Sequence, residues 1–236
     1  MSNILVIRGQ SGCGKSTFAA ALAAQFARNG IHTLLVSPDT HVPAFGVWVP
    51  KDKPEVSLGK ILENLPTDAA ALASDIYITH GMKENLGLLG YLSGEPSDKY
   101  NPPSRDTASA FLRSASELAE MVIVDGTDYD DPLTAAAAKE SFLQLWMIEP
   151  TIRGTLFVLS LPPDEAKKTM WIACTCWYPD PVDEVVNRLS FYFATKVPCV
   201  SEAREKLNEG RLFEPYKDKR YRSAVEEAAR IVKEVS

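Results

Sequence analysis

The chain has 236 residues, 45% of them hydrophobic, which is enough to bury one large core and predicts a single α/β domain over residues 1–236. A net charge of −6 and a pI near 5.2 argue against a strong sequence-independent grip on nucleic acid, because that grip comes from clustered lysine and arginine. With no leading basic and apolar segment and no apolar run of bilayer length, the sequence predicts a soluble, cytoplasmic protein without a membrane helix.

In chain order, the first element is the apolar run Ile4, Leu5, Val6, Ile7, a buried strand. It leads into GQSGCGKST, Gly9 to Thr17. An alanine-rich segment follows, with Phe18, Leu22 and Phe26 at helical spacing and a stop at Asn29 and Gly30. His32 to Ser37 reads as the second strand, ending in Pro38, Asp39 and Thr40, and Pro43, Pro50 and Pro54 predict an extended loop after it. Tyr77 to Thr79 reads as a short strand and Lys99 to Arg105 as a proline-containing loop. Phe111, Leu112, Ala115, Leu118 and Ala119 mark an amphipathic helix that feeds the strand Met121 to Asp125. Leu156 to Leu161 and Met170 to Trp177 read as two β-like runs, Asp183 to Tyr192 as a helix and Ala194 to Val200 as a last short strand. The final helix carries Val225, Ala228, Ala229 and Val232 on one face. This alternation predicts an α/β, three-layer fold with a mostly parallel sheet covered by helices on both faces, and GQSGCGKST between a strand and a helix makes it a P-loop fold.

Gly9, four residues, then Gly14, Lys15 and Ser16 is the Walker A spacing, and it sits between a strand and a helix as that motif requires. Glycines let the backbone bend around phosphate and aim successive N–H groups at it, and the helix start adds its unpaired N–H groups. Gly9, Gln10, Ser11, Gly12, Cys13, Gly14, Lys15, Ser16 and Thr17 are therefore the candidate nucleotide-binding residues. Lys15 is placed to reach the β and γ phosphates and Ser16 to put its hydroxyl on magnesium. Asp125 closes MVIVD in the Walker B pattern, as the second magnesium ligand. Asp39 follows the second strand, where an acid can orient a water or take a proton, or simply close a Pro-Asp turn. Gly126, Thr127 and Asp128 read as a second switch or a polar turn. Lys15, Asp39 and Asp125 are the candidate catalytic residues, with ATP and Mg2+ the expected cofactors.

The remaining chemistry-bearing residues point to structure. Cys13, Cys174, Cys176 and Cys199 have no CxxC spacing and are expected to be reduced thiols. Lys217, Lys219, Arg220 and Arg222, with Asp218 among them, read as a solvated helix start. Trp146 is expected in the core, and Phe191, Tyr192 and Phe193 in the core or at an interface. His32, His41 and His80 have no ligand spacing.

Beyond the P-loop, LLVSPDT, PEVSLGKILEN, GMKENLGLLGY, VIVDGTD and VPCVSEAREKLNEGRLFE resemble the MinD/ParA group of P-loop ATPases over nearly the whole chain. The likeness is to its small stand-alone members, relatives of the TadZ/CpaE proteins of pilus assembly. The resemblance implies an ATP-dependent switch that dimerises with nucleotide in the interface and positions or assembles a larger machine with protein partners. It also implies that Gln10 stands where the family carries a lysine that reaches the partner's phosphates. Hydrolysis is then expected to be weak or partner-stimulated, with a scaffold that does not turn over as the limiting case. The alternative is a small-molecule or nucleotide kinase, with Asp39 as base and LFVLSLPPDEAKK as the strand and helix start before a lid. Its weak point is a shortage of cationic side chains in the segment after that strand, which has Lys167 and Lys168 but no arginine before Arg188.

Overall fold

The unbroken apolar run at the start of the chain forms β1 (Ile4–Gly9), the strand around which the others are arranged. The computed structural model describes residues 2–51, 54–66, 68–79, 85–127, 130–161, 169–175 and 193–236. β1 pairs in parallel with β5 (Met121–Asp125) on one side and β6 (Leu143–Ile148) on the other. Beyond β5 lie β2 (Thr33–Val36), β4 (Leu86–Leu89) and a short antiparallel edge strand, β3 (Tyr77–Ile78). Beyond β6 lie β7 (Thr169–Thr175) and β8 (Phe193–Pro198), both parallel. The eight strands among the described residues run in the order β3-β4-β2-β5-β1-β6-β7-β8. From β1 the chain crosses to β2, continues to the β3–β4 edge, returns to place β5 between β2 and β1, and then passes to β6, β7 and β8 on the other side. A crevice opens beside β1 at the carboxyl edge, where the winding reverses.

Alternation along each strand sends successive side chains to opposite faces, and both faces are apolar. Leu5 and Ile7 pack with α1 (Lys15–Arg28) and the C-terminal helix α9 (Lys219–Val235). Ile4 and Val6 pack with α3 (Leu58–Glu63), α4 (Ala69–Ala73), α5 (Arg105–Leu118) and α6 (Pro132–Glu140). Helix boundaries follow the local chemistry. Gly30 takes φ 80° just past the end of α1, Ser104 accepts the Thr107 N–H at the start of α5, and Asp131 caps α6 ahead of Pro132. The basic group at 217–222 is such a helix start, with Asp218 as the cap of α9.

Three sequence expectations change. Leu156 to Leu161 is not a strand: Ile152–Leu159 is a helix, α7, started by Thr151, whose hydroxyl accepts the Gly154 N–H at 3.2 Å. A short apolar run has no period of its own, and here the cap decides it, with Phe157 set against Trp146 at 5.9 Å. The kinase reading loses the strand it drew from that segment. The loop after β2 is not extended throughout either. Pro43 precedes the short helix α2 (Ala44–Trp48), because Phe45 and Trp48 both bury on one face. β4 and β6 are strands that the sequence reading did not mark; both are wholly buried, so neither shows a polar alternation. The expected helix Asp183 to Tyr192 lies outside the described residues, as do Cys176, Asp128 and Lys167 and Lys168.

Candidate functional site

Because all strands but β3 run in parallel, the chain leaves β1, β2, β5, β6, β7 and β8 at the same edge. Gly9 ends β1 there at φ 137°, and a Cβ on it would lie 1.9 Å from the Met147 carbonyl oxygen, so β6 leaves room for glycine alone. The Gln10 N–H donates to that same carbonyl at 2.9 Å. Gly12 and Gly14 also take left-handed φ values, 83° and 78°, but with open space around them, so their glycines serve the turn itself. Gly14 is the N-cap of α1, and no side chain caps that helix start, which carries no acid in its first turn. Its first N–H groups are thus left to face the loop. Lys15 folds back over the loop, with its ammonium donating to the Gln10 carbonyl at 3.2 Å, and is mostly buried.

Asp125 is brought beside this loop by register: it pairs with Ile7, two residues before Gly9, and the Gly126 N–H donates to the Ile7 carbonyl at 2.9 Å. Its carboxyl group is buried. The backbone N–H of Thr127 donates to the Thr134 hydroxyl at 3.3 Å, tying the loop after β5 to the first turn of α6. Asp39 arrives from the end of β2, and one carboxylate oxygen accepts the N–H groups of His41 and Val42 at 2.8 and 3.0 Å. The structure therefore gives Asp39 the turn-closing bonds, and also a place in the cavity wall. That cavity, about 810 Å³, is lined by Lys15, Ser16, Asp39, Asp125, Thr127 and Trp48, among others. Its size suits a nucleotide-sized ligand. Trp48 is buried against Phe45 and Phe213, both at 6.3 Å, and anchors α2 as the cavity's roof.

Gln10 does not point outward. It is 4% exposed, and its side-chain oxygen accepts the Glu149 N–H at 3.2 Å and the Cys13 thiol at 3.8 Å, which turns the amide inward onto the loop after β6. The Gln10 amide nitrogen is buried without a hydrogen-bond partner. α7 crowds the same spot, since a Cβ on Gly154 would lie 1.9 Å from the Glu149 carbonyl oxygen and 3.5 Å from the Gln10 side-chain oxygen.

A second cavity of about 190 Å³ opens on the other side of the loop. Gly12, Cys13 and Thr17 form one wall; Cys174 and Thr175 of β7, Val197 to Val200, and Ala203 and Leu207 of α8 (Ser201–Glu209) form the other. Sequence reading did not assign this slot. Its residues come from four separate segments, Tyr221 of α9 being the fourth, and the only signal was the stretch Val197 to Glu214 taken as part of the family resemblance. Of the expected site residues, Gly12, Gly14, Lys15, Ser16, Thr17, Asp39 and Asp125 line one cavity, whereas Gln10 turns inward and Cys13 lines the second slot. No group of three or more His, Cys, Asp or Glu positioned to hold a metal occurs among the described residues. None of the described helices is long and apolar enough to cross a membrane.

The family model of the CobQ/CobB/MinD/ParA nucleotide-binding domain matches residues 4–197. The fold resembles the MinD septum site-determining protein of Pyrococcus horikoshii OT3, solved with Mg-ADP, at TM-score 0.79 and 18% identity, covering 100% of this chain and 97% of that one. It also resembles MinD in the Aquifex aeolicus MinC:MinD complex, at TM-score 0.76 and 14% identity with 100% and 97% covered. A third likeness is to a Borrelia burgdorferi B31 plasmid partition protein bound to AMPPNP, at TM-score 0.73 and 15% identity with 99% of each chain covered. No curated protein sequence matches at a significant level.

Proposed function

This chain belongs to the CobQ/CobB/MinD/ParA nucleotide-binding family, and from that premise we propose that it is an ATP-binding switch that dimerises when loaded and positions or assembles a larger protein machine. One observation carries the reading: Gly12 and Gly14 to Thr17 of the loop, Asp125 and Asp39 converge on one cavity at a single strand edge. The residues fit the nucleotide and its magnesium ion. The loop offers backbone N–H groups on an uncapped helix start, Lys15 supplies the positive charge, and the Ser16 hydroxyl and Asp125 carboxylate are hard oxygen donors of the type magnesium prefers. Bound magnesium neutralises phosphate charge. Asp39 orients a water from the cavity wall, and the apolar slot beside the loop takes the base. Relatives solved with Mg-ADP and AMPPNP support adenine as that base.

Turnover in this reading is slow. Gln10 carries no charge and is turned inward, so it brings no cation to a developing phosphate anion. The same observation favours a second reading, a nucleotide-dependent scaffold that never hydrolyses. The two are separated by light scattering with parallel phosphate release, on wild type and Lys15→Ala, without nucleotide, with ADP, and with ATP plus magnesium. Dimer only with ATP and slow phosphate release supports the switch, and dimer with no release supports the scaffold. Lys15→Ala should weaken ATP binding about 10- to 100-fold, the worth of a charge-assisted contact. A wild-type monomer under every condition would overturn both readings.

A further inference from the structure

Three thiols from three segments line the small slot: Cys13 on the loop after β1, Cys174 on β7, and Cys199 just past β8. Two of them are joined across the fold. The Cys174 thiol donates to the Cys13 backbone carbonyl at 3.1 Å, and the two are separated by 161 positions in sequence. Cys174 is held between neighbouring strands, in register with Val197 of β8 and one residue beyond Ala173, which pairs with Ile148 of β6. Cys13 sits on a loop whose conformation is set by two left-handed glycines with open space around them. One thiol is thus on a rigid strand and the other on a loop that can follow it.

We propose that Cys13 and Cys174 form a redox site in the wall of the small slot beside the main cavity, at which hydrogen peroxide links the two thiols and so displaces the phosphate loop. The coupling to nucleotide rests on the function proposed above, whereas the thiol chemistry stands apart from it. The chemistry balances in two steps. The Cys13 thiolate attacks hydrogen peroxide to give a sulfenic acid as the O–O bond breaks, and the departing hydroxide leaves as water with the proton that the Cys13 thiol gave up. The Cys174 sulfur then attacks the sulfenic sulfur, an S–S bond forms, and a second water leaves with the thiol proton. Both sulfurs are oxidised and the peroxide is reduced; a dithiol reverses the bond by exchange.

Cys13 is the better first nucleophile. The neighbouring Cys174 thiol, the Lys15 ammonium and a backbone hydrogen bond from Glu149 together hold its pKa below the ordinary thiol value, against the opposing effects of burial and the Glu149 carboxylate. Cys174 is the resolving thiol because its sulfur already lies 3.1 Å from the Cys13 backbone carbonyl oxygen. Cys199 is exposed and lies at the slot's outer side, and it is not part of the pair. Closing the bond removes the Cys174 donor from the Cys13 carbonyl. It also draws the loop toward β7, away from the arrangement in which its N–H groups face the main cavity.

The test treats full-length protein with hydrogen peroxide, maps linked peptides by mass spectrometry, and measures binding of a fluorescent ATP analogue before and after dithiothreitol. Expected are a Cys13–Cys174 linked peptide and binding about tenfold weaker when oxidised, the cost of one lost charge-assisted N–H contact. Reduction should restore binding. Each variant is compared with itself, oxidised against reduced: Cys174→Ser should lose the difference and Cys199→Ser should keep it. No linked peptide, or linkage only through other cysteines, would overturn the site. A correct link with unchanged binding would overturn the coupling. Linkage in a protein that binds no ATP analogue when reduced would instead sink the nucleotide reading and leave the disulfide standing.

Discussion

The loop Gly9 to Thr17 and the slot beside it share Gly12, Cys13, Gly14 and Thr17, yet they are built in opposite ways. The loop is one contiguous stretch whose shape comes from glycine positions and from β6 passing close to Gly9. The slot is a gap between β7, the β8–α8 segment, Tyr221 of α9 and the loop, and no one of these segments contains it. The difference teaches that phosphate recognition can be carried by backbone and local φ values, whereas recognition of the rest of a nucleotide depends on how distant segments pack.

The sharpest break is Gly9→Ala. A Cβ placed 1.9 Å from the Met147 carbonyl oxygen forces β1 and β6 apart, with an expected loss of about 3–5 kcal/mol in urea unfolding. Gly12→Ala meets no atom and pays only for its left-handed φ, about 1–2 kcal/mol. If the two variants lost equal stability, the close approach of β6 would not be what specifies Gly9. The next test separates loop from slot. Ala203→Phe fills the slot from α8 and should weaken binding of ATP about tenfold, roughly 1.4 kcal/mol, while leaving inorganic triphosphate unaffected. Equal loss for both ligands, by calorimetry, would show that the slot does not hold the base.

Two smaller effects probe the frame around them. Thr151→Ala removes the cap that makes α7 a helix and should cost about 1 kcal/mol in thermal or urea unfolding. An unchanged midpoint would mean the Trp146–Phe157 contact alone holds α7. The last concerns Glu95, which accepts from Ser57, the Leu92 N–H, Lys99 and Tyr100 and pins the turn after β4. Burial pushes its carboxyl up, but hydrogen bonds led by those of Lys99 and Ser57 outweigh it and hold the carboxyl below its ordinary value of 4.5. A depressed folded value means that this contribution is complete above the unfolded pKa and is lost as pH falls through the folded one. Glu95→Gln should therefore reduce the loss of stability on acidification below about pH 4.5, read from urea midpoints across pH.

Much of the site was legible in the residues. GQSGCGKST between an apolar run and an alanine-rich helix specifies a bent loop at a helix start, because glycine spacing and helical period are local properties. The placement of Asp125 followed from four apolar residues before an acid. The reading of Leu156 to Leu161 failed for an equally local reason: a short apolar run has no decisive period, and Thr151 settles it as a helix. β4 and β6 escaped notice because full burial erases the alternation that marks a half-exposed strand.

Sequence by itself determined the family of fold, the phosphate-type loop and the acids that could serve it, since each depends on residue order over a few positions. Tertiary structure decided where Gln10 points, the turn-closing bonds of Asp39, and the meeting of Cys13 with Cys174. These depend on which strands lie next to β1, and strand order is set by packing two apolar faces at once, a property that no local stretch of the chain carries.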